Sequence, residues 1–328
     1  MSPRQAGDQE APAARSAGQA TPGLLHRWCV APLLGQLGML SCTTADRLGG
    51  TIGVLAWRLG IRRRLSGELL TRCLGVTGPA RARLVRRSYA TMGANFLALW
   101  TVGGPEGVER SLTVLNPTWL RLMLKRHPAV LFLTPHLGSW DLGAHAIAKA
   151  TGRIVAYAKP QHNAEVDALI NAKRASLGIE VVMAASGDRQ AAMKALRAAR
   201  SGIPVGLMGD QRPGRHEGAP ARFFGHAAWC HQGPAFFALK AKMALLPGFC
   251  VRRRAGQIVG LCGAARVADG MDESAVVQLA IDLQCAMIAG VPGQYFWQHK
   301  RFAGPQPEVP PRQHEPWRGR LRFMCGRP

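Results

Sequence analysis

The stretch Ala129-Val130-Leu131-Phe132-Leu133-Thr134-Pro135-His136-Leu137-Gly138-Ser139-Trp140-Asp141-Leu142 decides how this chain is read. An apolar run stops at a proline, delivers a histidine into a small-residue turn, and restarts with an aspartate. The run has the length of a buried strand, and the proline–glycine punctuation marks a loop. Asp141, five positions after His136, falls about where a helix begins. On one helix, residues five apart would face different ways. With His136 in the loop and Asp141 in the first helical turn they can meet. The carboxylate would then accept from one imidazole nitrogen and leave the other for an incoming hydroxyl.

Outward from this stretch the pattern alternates. The sequence predicts strands over 129–133, 153–158, 180–183, 205–208, 245–252 and 258–262. Helices are expected over 139–149, 163–176, 189–200, 233–243 and 272–289. Strands alternating with helices of this length predict a layered α/β fold: a mostly parallel or mixed central sheet with helices on both faces. The region 112–126 reads as helical, leading into the strand before His136. No internal repeat is visible. The expected organisation is a disordered leader (1–22), an N-terminal helical membrane-associating region (23–105), the α/β domain (106–303) and a basic flexible tail (304–328).

The first twenty-odd residues are rich in Ala, Gly, Gln, Pro and charge, and no secretory signal is visible. Residues 28–45 are uncharged but diluted by Gln36, Ser41, Thr43 and Thr44. A second semi-apolar stretch, 48–59, closes on Arg58 and Arg62-Arg63-Arg64. The pair reads as a weak span or an interfacial anchor with its basic end at an anionic membrane face, against the plainer alternative of a buried helix pair. Residues 62–103 carry one or two amphipathic helices broken at 75–79.

The 328 residues carry a formal net charge of +23, most of it arginine. Such a balance suits an anionic membrane, an acidic protein or nucleic acid, or simply a solvated basic surface. The eight cysteines form no CxxC pair and no zinc-like spacing, and most sit among apolar residues as buried thiols. That usage fits a reduced, cytosol-facing protein.

Several chemistries compete around His136. The first is a general base oriented by Asp141. Ser139 raises a second, a Ser–His nucleophile, but it sits in Gly-Ser-Trp and not in the G-x-S-x-G elbow. His145 raises a third, a metal site with His136 and Asp141. A second cluster, Asp210-Gln211-Arg212-Pro213-Gly214-Arg215, stands at the carboxyl end of a predicted strand, the edge where open α/β sheets bind ligands. Arg222-Phe223-Phe224-Gly225 follows. Near the end, Gln294-Tyr295-Phe296-Trp297-Gln298-His299-Lys300-Arg301-Phe302 interleaves aromatics with cations. A reading of a different class is a basic membrane- or nucleic-acid-binding protein without catalysis, for which the His–Asp pair would be idle.

Taken in order, these pieces resemble the bacterial lipid A late acyltransferase family (lauroyl/myristoyl type), within the lysophospholipid acyltransferase superfamily. The resemblance runs from about residue 24 to 302. It rests on His136 to Asp141 as an H-x4-D motif, Lys159-Pro160 with Asn163, Arg174 with Gly178, Asp210-Gln211, Phe223-Phe224-Gly225, Gly233 and the terminal Gln294–Phe302 stretch. Lys159 stands where the family usually has arginine, His231 where it has threonine, and Asp141 where glutamate is common.

The resemblance implies acyl transfer from a thioester, on acyl carrier protein or coenzyme A, to a hydroxyl of a membrane lipid. A lipid A precursor is the first expectation; a lysophospholipid or another glycolipid or aminolipid is the alternative. His136 and Asp141 would be catalytic. Lys159, Arg174, Asp210, Gln211, Arg212, Phe224, Gly225, His299 and Arg301 would bind substrate, with Arg174, Arg212 and Arg301 on phosphate groups. No metal or redox cofactor and no nucleic acid is expected, and the implied place is the cytoplasmic face of the bacterial inner membrane.

Overall fold

The computed structural model describes residues 36–101, 112–159, 163–183, 188–214, 218–254, 256 and 258–312. The expected leader, and residues 28–35 of the expected anchor, lie outside the described residues. Three helices come first: α1 (Cys42–Arg58), α2 (Arg63–Leu74) and α3 (Gly78–Thr101). Then follow β1 (Leu112–Val114), α4 (Pro117–Arg126), β2 (Val130–Leu133), α5 (Trp140–Thr151), β3 (Ile154–Ala158), α6 (Ala164–Ser176), β4 (Ile179–Met183), α7 (Arg189–Arg200) and β5 (Val205–Leu207). The hairpin β6 (Ala219–Phe223) and β7 (His226–Cys230) leads to α8 (Gly233–Lys240), β8 (Ala244–Arg252), β9 (Ile258–Cys262) and α9 (Glu273–Gly290).

The seven-stranded sheet has the order β1-β9-β8-β2-β5-β3-β4, parallel throughout except where β8 meets β9. Strand β2 lies inside it, between β8 and β5, and all four of its residues are buried. Alternate side chains of a strand face opposite ways, and β2 uses both faces. Val130 and Phe132 pack with Leu120 and Met123 of α4 and Leu142 and Ile147 of α5. Leu131 and Leu133 pack with Ala195 of α7, Phe237 of α8 and Ile281 of α9. Two apolar layers therefore hold one sheet, the arrangement the alternating pattern predicts.

The N-terminal pair α1 and α3 packs backbone to backbone. A Cβ on Gly53 would stand 2.0 Å from the Tyr89 carbonyl oxygen, and one on Gly49 2.4 Å from that of Gly93. Side-chain-free positions permit this approach. Away from this contact α1 exposes Leu48, Ile52 and Leu55, and the C-cap residue Leu59 continues the same helical stripe. Among the described residues no helix is long and apolar enough to cross a membrane.

One expectation needs correction. Residues 112–126 are not one helix: Leu112–Val114 pair with β9, and the helix starts after Asn116, whose φ of 54° breaks the chain before Pro117. Pro117 then suits the first helical position. Within the segment after 304, residues as far as Arg312 contact the rest of the fold. Arg222 donates from Nη2 to the Val309 carbonyl and from Nε to that of Pro310, each at 2.7 Å. Arg312 meets Asp282 at 2.9 Å. Residues 313–328 lie outside the described residues.

Candidate active site

Neighbouring parallel strands deliver their following loops side by side at one sheet edge. Here β2 and β5 are neighbours, with Leu133 opposite Leu207. His136 and Asp210 each stand three residues beyond those partners, so the register brings them together. His136 Nδ1 lies 2.9 Å from Asp210 Oδ1. The Asp210 side chain is fully buried, whereas that of His136 keeps 20% of its surface exposed.

Burial would raise the Asp210 pKa. The charge and hydrogen bonds of His136, with a further contribution from Tyr295, outweigh it and hold the carboxyl below its ordinary value. Burial, joined by the nearby Asp210 charge, pushes the Tyr295 hydroxyl well above its usual range, so it stays protonated beside that carboxylate.

Asp141 does not make the contact expected of it. Its Oδ1 accepts from Arg174 Nε at 2.7 Å, an ion pair with both side chains mostly buried. The reason is geometric. Asp141 begins α5 and faces α6, which carries Arg174, while the Nδ1 side of His136 turns to the β5 loop.

Ser139 is no better placed as a nucleophile. Its hydroxyl donates to Asn95 Oδ1 at 2.7 Å and accepts from Arg252 Nη2 at 3.1 Å. His145 is buried, with Nδ1 2.6 Å from the Leu177 carbonyl oxygen. Among the described residues no group of three His, Cys, Asp or Glu side chains is arranged to hold a metal ion.

A cavity of about 780 Å³ opens over His136. Part of its lining is apolar, with Met92, Phe96 and Leu99 of α3, Trp140 and Phe296. Part is polar or cationic, with Asp141, Lys159, Arg174, Gln211, Arg212 and His231. Trp140 and Phe296 flank the imidazole, their ring centroids 5.5 and 6.4 Å from it. Beyond Trp140 lies a second, nearly all-apolar cavity of about 70 Å³ between the sheet and α5, bounded by Phe132, Ile147 and Gly206 among others. The two cavities share Trp140.

Of the residues expected to bind substrate, Lys159, Arg174, Gln211 and Arg212 thus line the large cavity, and Asp210 sits behind His136. The others do not reach it. Phe224 and Gly225, with φ of 52° and 80°, form the tight turn of the β6–β7 hairpin, and Phe224 is core. Two consecutive positive-φ residues are what such a turn needs.

Arg301 is buried: it donates to the Trp229 carbonyl at 2.8 Å and to Cys230 Sγ at 2.9 Å, with its guanidinium 4.7 Å over the Phe223 ring. These contacts hold the hairpin. His299 stands outside the cavity lining. Burial pushes it down to about 4 against the pull of Asp210, so it is neutral at neutral pH. Asn95, Tyr157, His231 and Gln232 also line the cavity. Nothing in the local sequence marks the first two.

The His136 loop is held by its backbone. Gly138 has φ +57°, its amide donates to the Gln294 carbonyl at 3.0 Å, and a Cβ there would stand 1.7 Å from the Cys250 carbonyl oxygen. Gly138→Ala is expected to lower stability by about 2 kcal/mol or more, from left-handed backbone and overpacking together. A denaturant titration of wild type and variant measures it.

A family model described as bacterial lipid A biosynthesis acyltransferase matches residues 16–303. No curated protein matches the chain. That family match covers most of the chain, and the cavity with its histidine lies inside it: the chain belongs to the bacterial lipid A biosynthesis acyltransferase family.

Proposed function

We propose that this acyltransferase moves a fatty acyl group from an acyl thioester, acyl carrier protein favoured, to a hydroxyl of a lipid A precursor. The observation that carries the reading is His136 at the cavity wall with Nδ1 held by the buried Asp210 carboxylate. That contact leaves Nε2 as the acceptor for a hydroxyl proton. As the proton moves to Nε2, the hydroxyl oxygen attacks the thioester carbonyl carbon. The tetrahedral adduct then expels the thiolate, which takes the proton from the imidazolium. Asp210 fixes the ring and balances its transient charge. No covalent enzyme intermediate and no redox or metal cofactor enters this scheme.

Asp141 keeps a place in the site. Paired with Arg174, it forms a polar wall beside His136 on which the acceptor's head group is aligned, and Lys159 and Arg212 add positive charge for phosphate. The apolar cavity beyond Trp140 suits part of the acyl chain. The stripe Leu48, Ile52, Leu55 and Leu59, flanked by Arg47 and Arg58, suits the surface of an anionic inner-membrane leaflet. The basic chain also suits the acidic carrier protein.

The test is mass spectrometry of purified chain incubated with acyl carrier protein thioester and a lipid A precursor. The expected products are precursor heavier by one acyl chain and an equal amount of free carrier thiol. Acylation of a lysophospholipid in a parallel reaction, with the lipid A precursor untouched, would overturn the acceptor assignment. Free fatty acid alone would overturn transfer itself.

A further inference from the structure

Arg252, at the end of β8, carries a buried guanidinium that reaches the N-terminal helices and the Ser139 hydroxyl at the cavity lining. Its Nη1 pairs with Asp46 of α1, its Nε donates to Asn95 Oδ1 of α3 at 3.0 Å, and its Nη2 donates to Ser139 Oγ at 3.1 Å. Ser139 in turn donates to Asn95 Oδ1 at 2.7 Å, and the Asn95 amide donates to the Gly138 carbonyl. Gln294 fastens the backbone of Arg252 from both sides, accepting from its amide at 2.9 Å and donating to its carbonyl at 2.8 Å. The loop that presents His136 is therefore joined to α1 and α3 by one cation and three polar side chains.

The cost of this arrangement says what it is for. A guanidinium taken out of water is penalised: burial pushes Arg252 below its ordinary value although Asp46 pulls the other way. A buried ion pair is a poor device for stability compared with apolar packing, and its best-attested use is to select one arrangement among several. Here the three acceptors lie on three separate elements, and only a forked, planar donor set reaches all of them. The small Gly138-Ser139 turn offers no side chain for apolar packing, so hydrogen bonds alone can fix it.

Resting on the reading of His136 as base, we propose that Arg252 and Asp46 are positioning residues for acyl transfer, clamping the Gly138-Ser139 turn so that the imidazole meets the acceptor hydroxyl. Neither side chain lines the cavity. Their effect passes through Ser139 and Asn95. A misplacement of the loop by about 1 Å is enough to cost on the order of 100-fold in rate.

The experiment is a double-mutant cycle on the full chain: Asp46→Asn, Ser139→Ala and the pair, with kcat and KM measured per folded molecule by circular dichroism and His136→Ala alongside. Each single variant is expected to lose about 10- to 100-fold in kcat, with KM within about twofold of wild type. The pair is expected to be no slower than the slower single, because both changes open one clamp.

Arg252→Lys, which keeps the charge beside Asp46 but not the fork, should lose kcat in the same way and stands in if Asp46→Asn does not fold. Normal kcat per folded molecule in Asp46→Asn or Arg252→Lys, or multiplicative losses in the pair, would overturn the clamp while leaving His136 as base. Retained transfer in His136→Ala would instead overturn the reading beneath it.

Discussion

Replacing His136 with alanine is expected to lower kcat for acyl transfer by about 10²- to 10⁴-fold, the range that one positioned general base supplies. The loss should fall on kcat rather than KM, because the base acts on a proton that moves only as the carbon–oxygen bond forms. Stability should also fall, because the fully buried Asp210 carboxylate loses its partner. The ring is partly exposed, and its one hydrogen bond among the described residues goes to Asp210. Removing the ring leaves Asp210 buried without its His136 partner, so part of what holds its carboxyl below the ordinary value is lost. The folded protein should therefore protonate there at a higher pH than wild type.

The second large effect separates the two aspartates. Asp210→Asn is expected to reduce kcat by about 10³- to 10⁴-fold, since an amide in place of the carboxylate can select the wrong imidazole tautomer and cannot balance the imidazolium. Asp141→Asn should cost less in kcat and more in KM, because Asp141 faces Arg174 and the cavity rather than the ring. Steady-state kinetics of the two variants, each with the lipid acceptor varied, measures the difference.

The sign of the pH dependence follows from the depressed Asp210 pKa. Its stabilising contribution is present above the ordinary carboxylate value of 3.8 and is lost only as pH falls through its lower folded value. Asp210 is thus ionised across the neutral range. Asp210→Asn should flatten the dependence of folding stability on pH below about 4 relative to wild type.

The layered sheet was legible because its evidence is local. The run 129–133 and the helical periods on either side state their own structure, and five of the predicted helices and six of the predicted strands fall within a few residues of the observed ones. The β6–β7 hairpin was not legible. Its strands, Ala-Pro-Ala-Arg-Phe and His-Ala-Ala-Trp-Cys, are built from alanines with weak strand preference, one carries a proline, and the turn lacks an Asn-Gly signal. β1 was lost because its three residues run straight into the apolar pattern of α4.

The loop that carries His136 is legible from its local setting, but the side chain at its Nδ1 is not, because Asp141 is near in sequence and Asp210 is near in space. The two partners of the observed bond are 74 residues apart. Only the placement of β5 beside β2 joins them, and strand order is not written in hydrophobic periodicity. Arg301 shows the opposite case. The resemblance places it on phosphate, and its guanidinium lies buried over the Phe223 ring between the Trp229 carbonyl and the Cys230 sulfur, contacts that lie far off in sequence.

Single-turnover acyl transfer, followed by rapid quench with wild type and His136→Ala under excess enzyme, tests the central claim without interference from product release. The account predicts that the first turnover slows by about 10²-fold or more in the variant, and that no acyl-protein adduct appears in either. A first turnover at the wild-type rate, or an acyl chain found covalently on the protein, would contradict it.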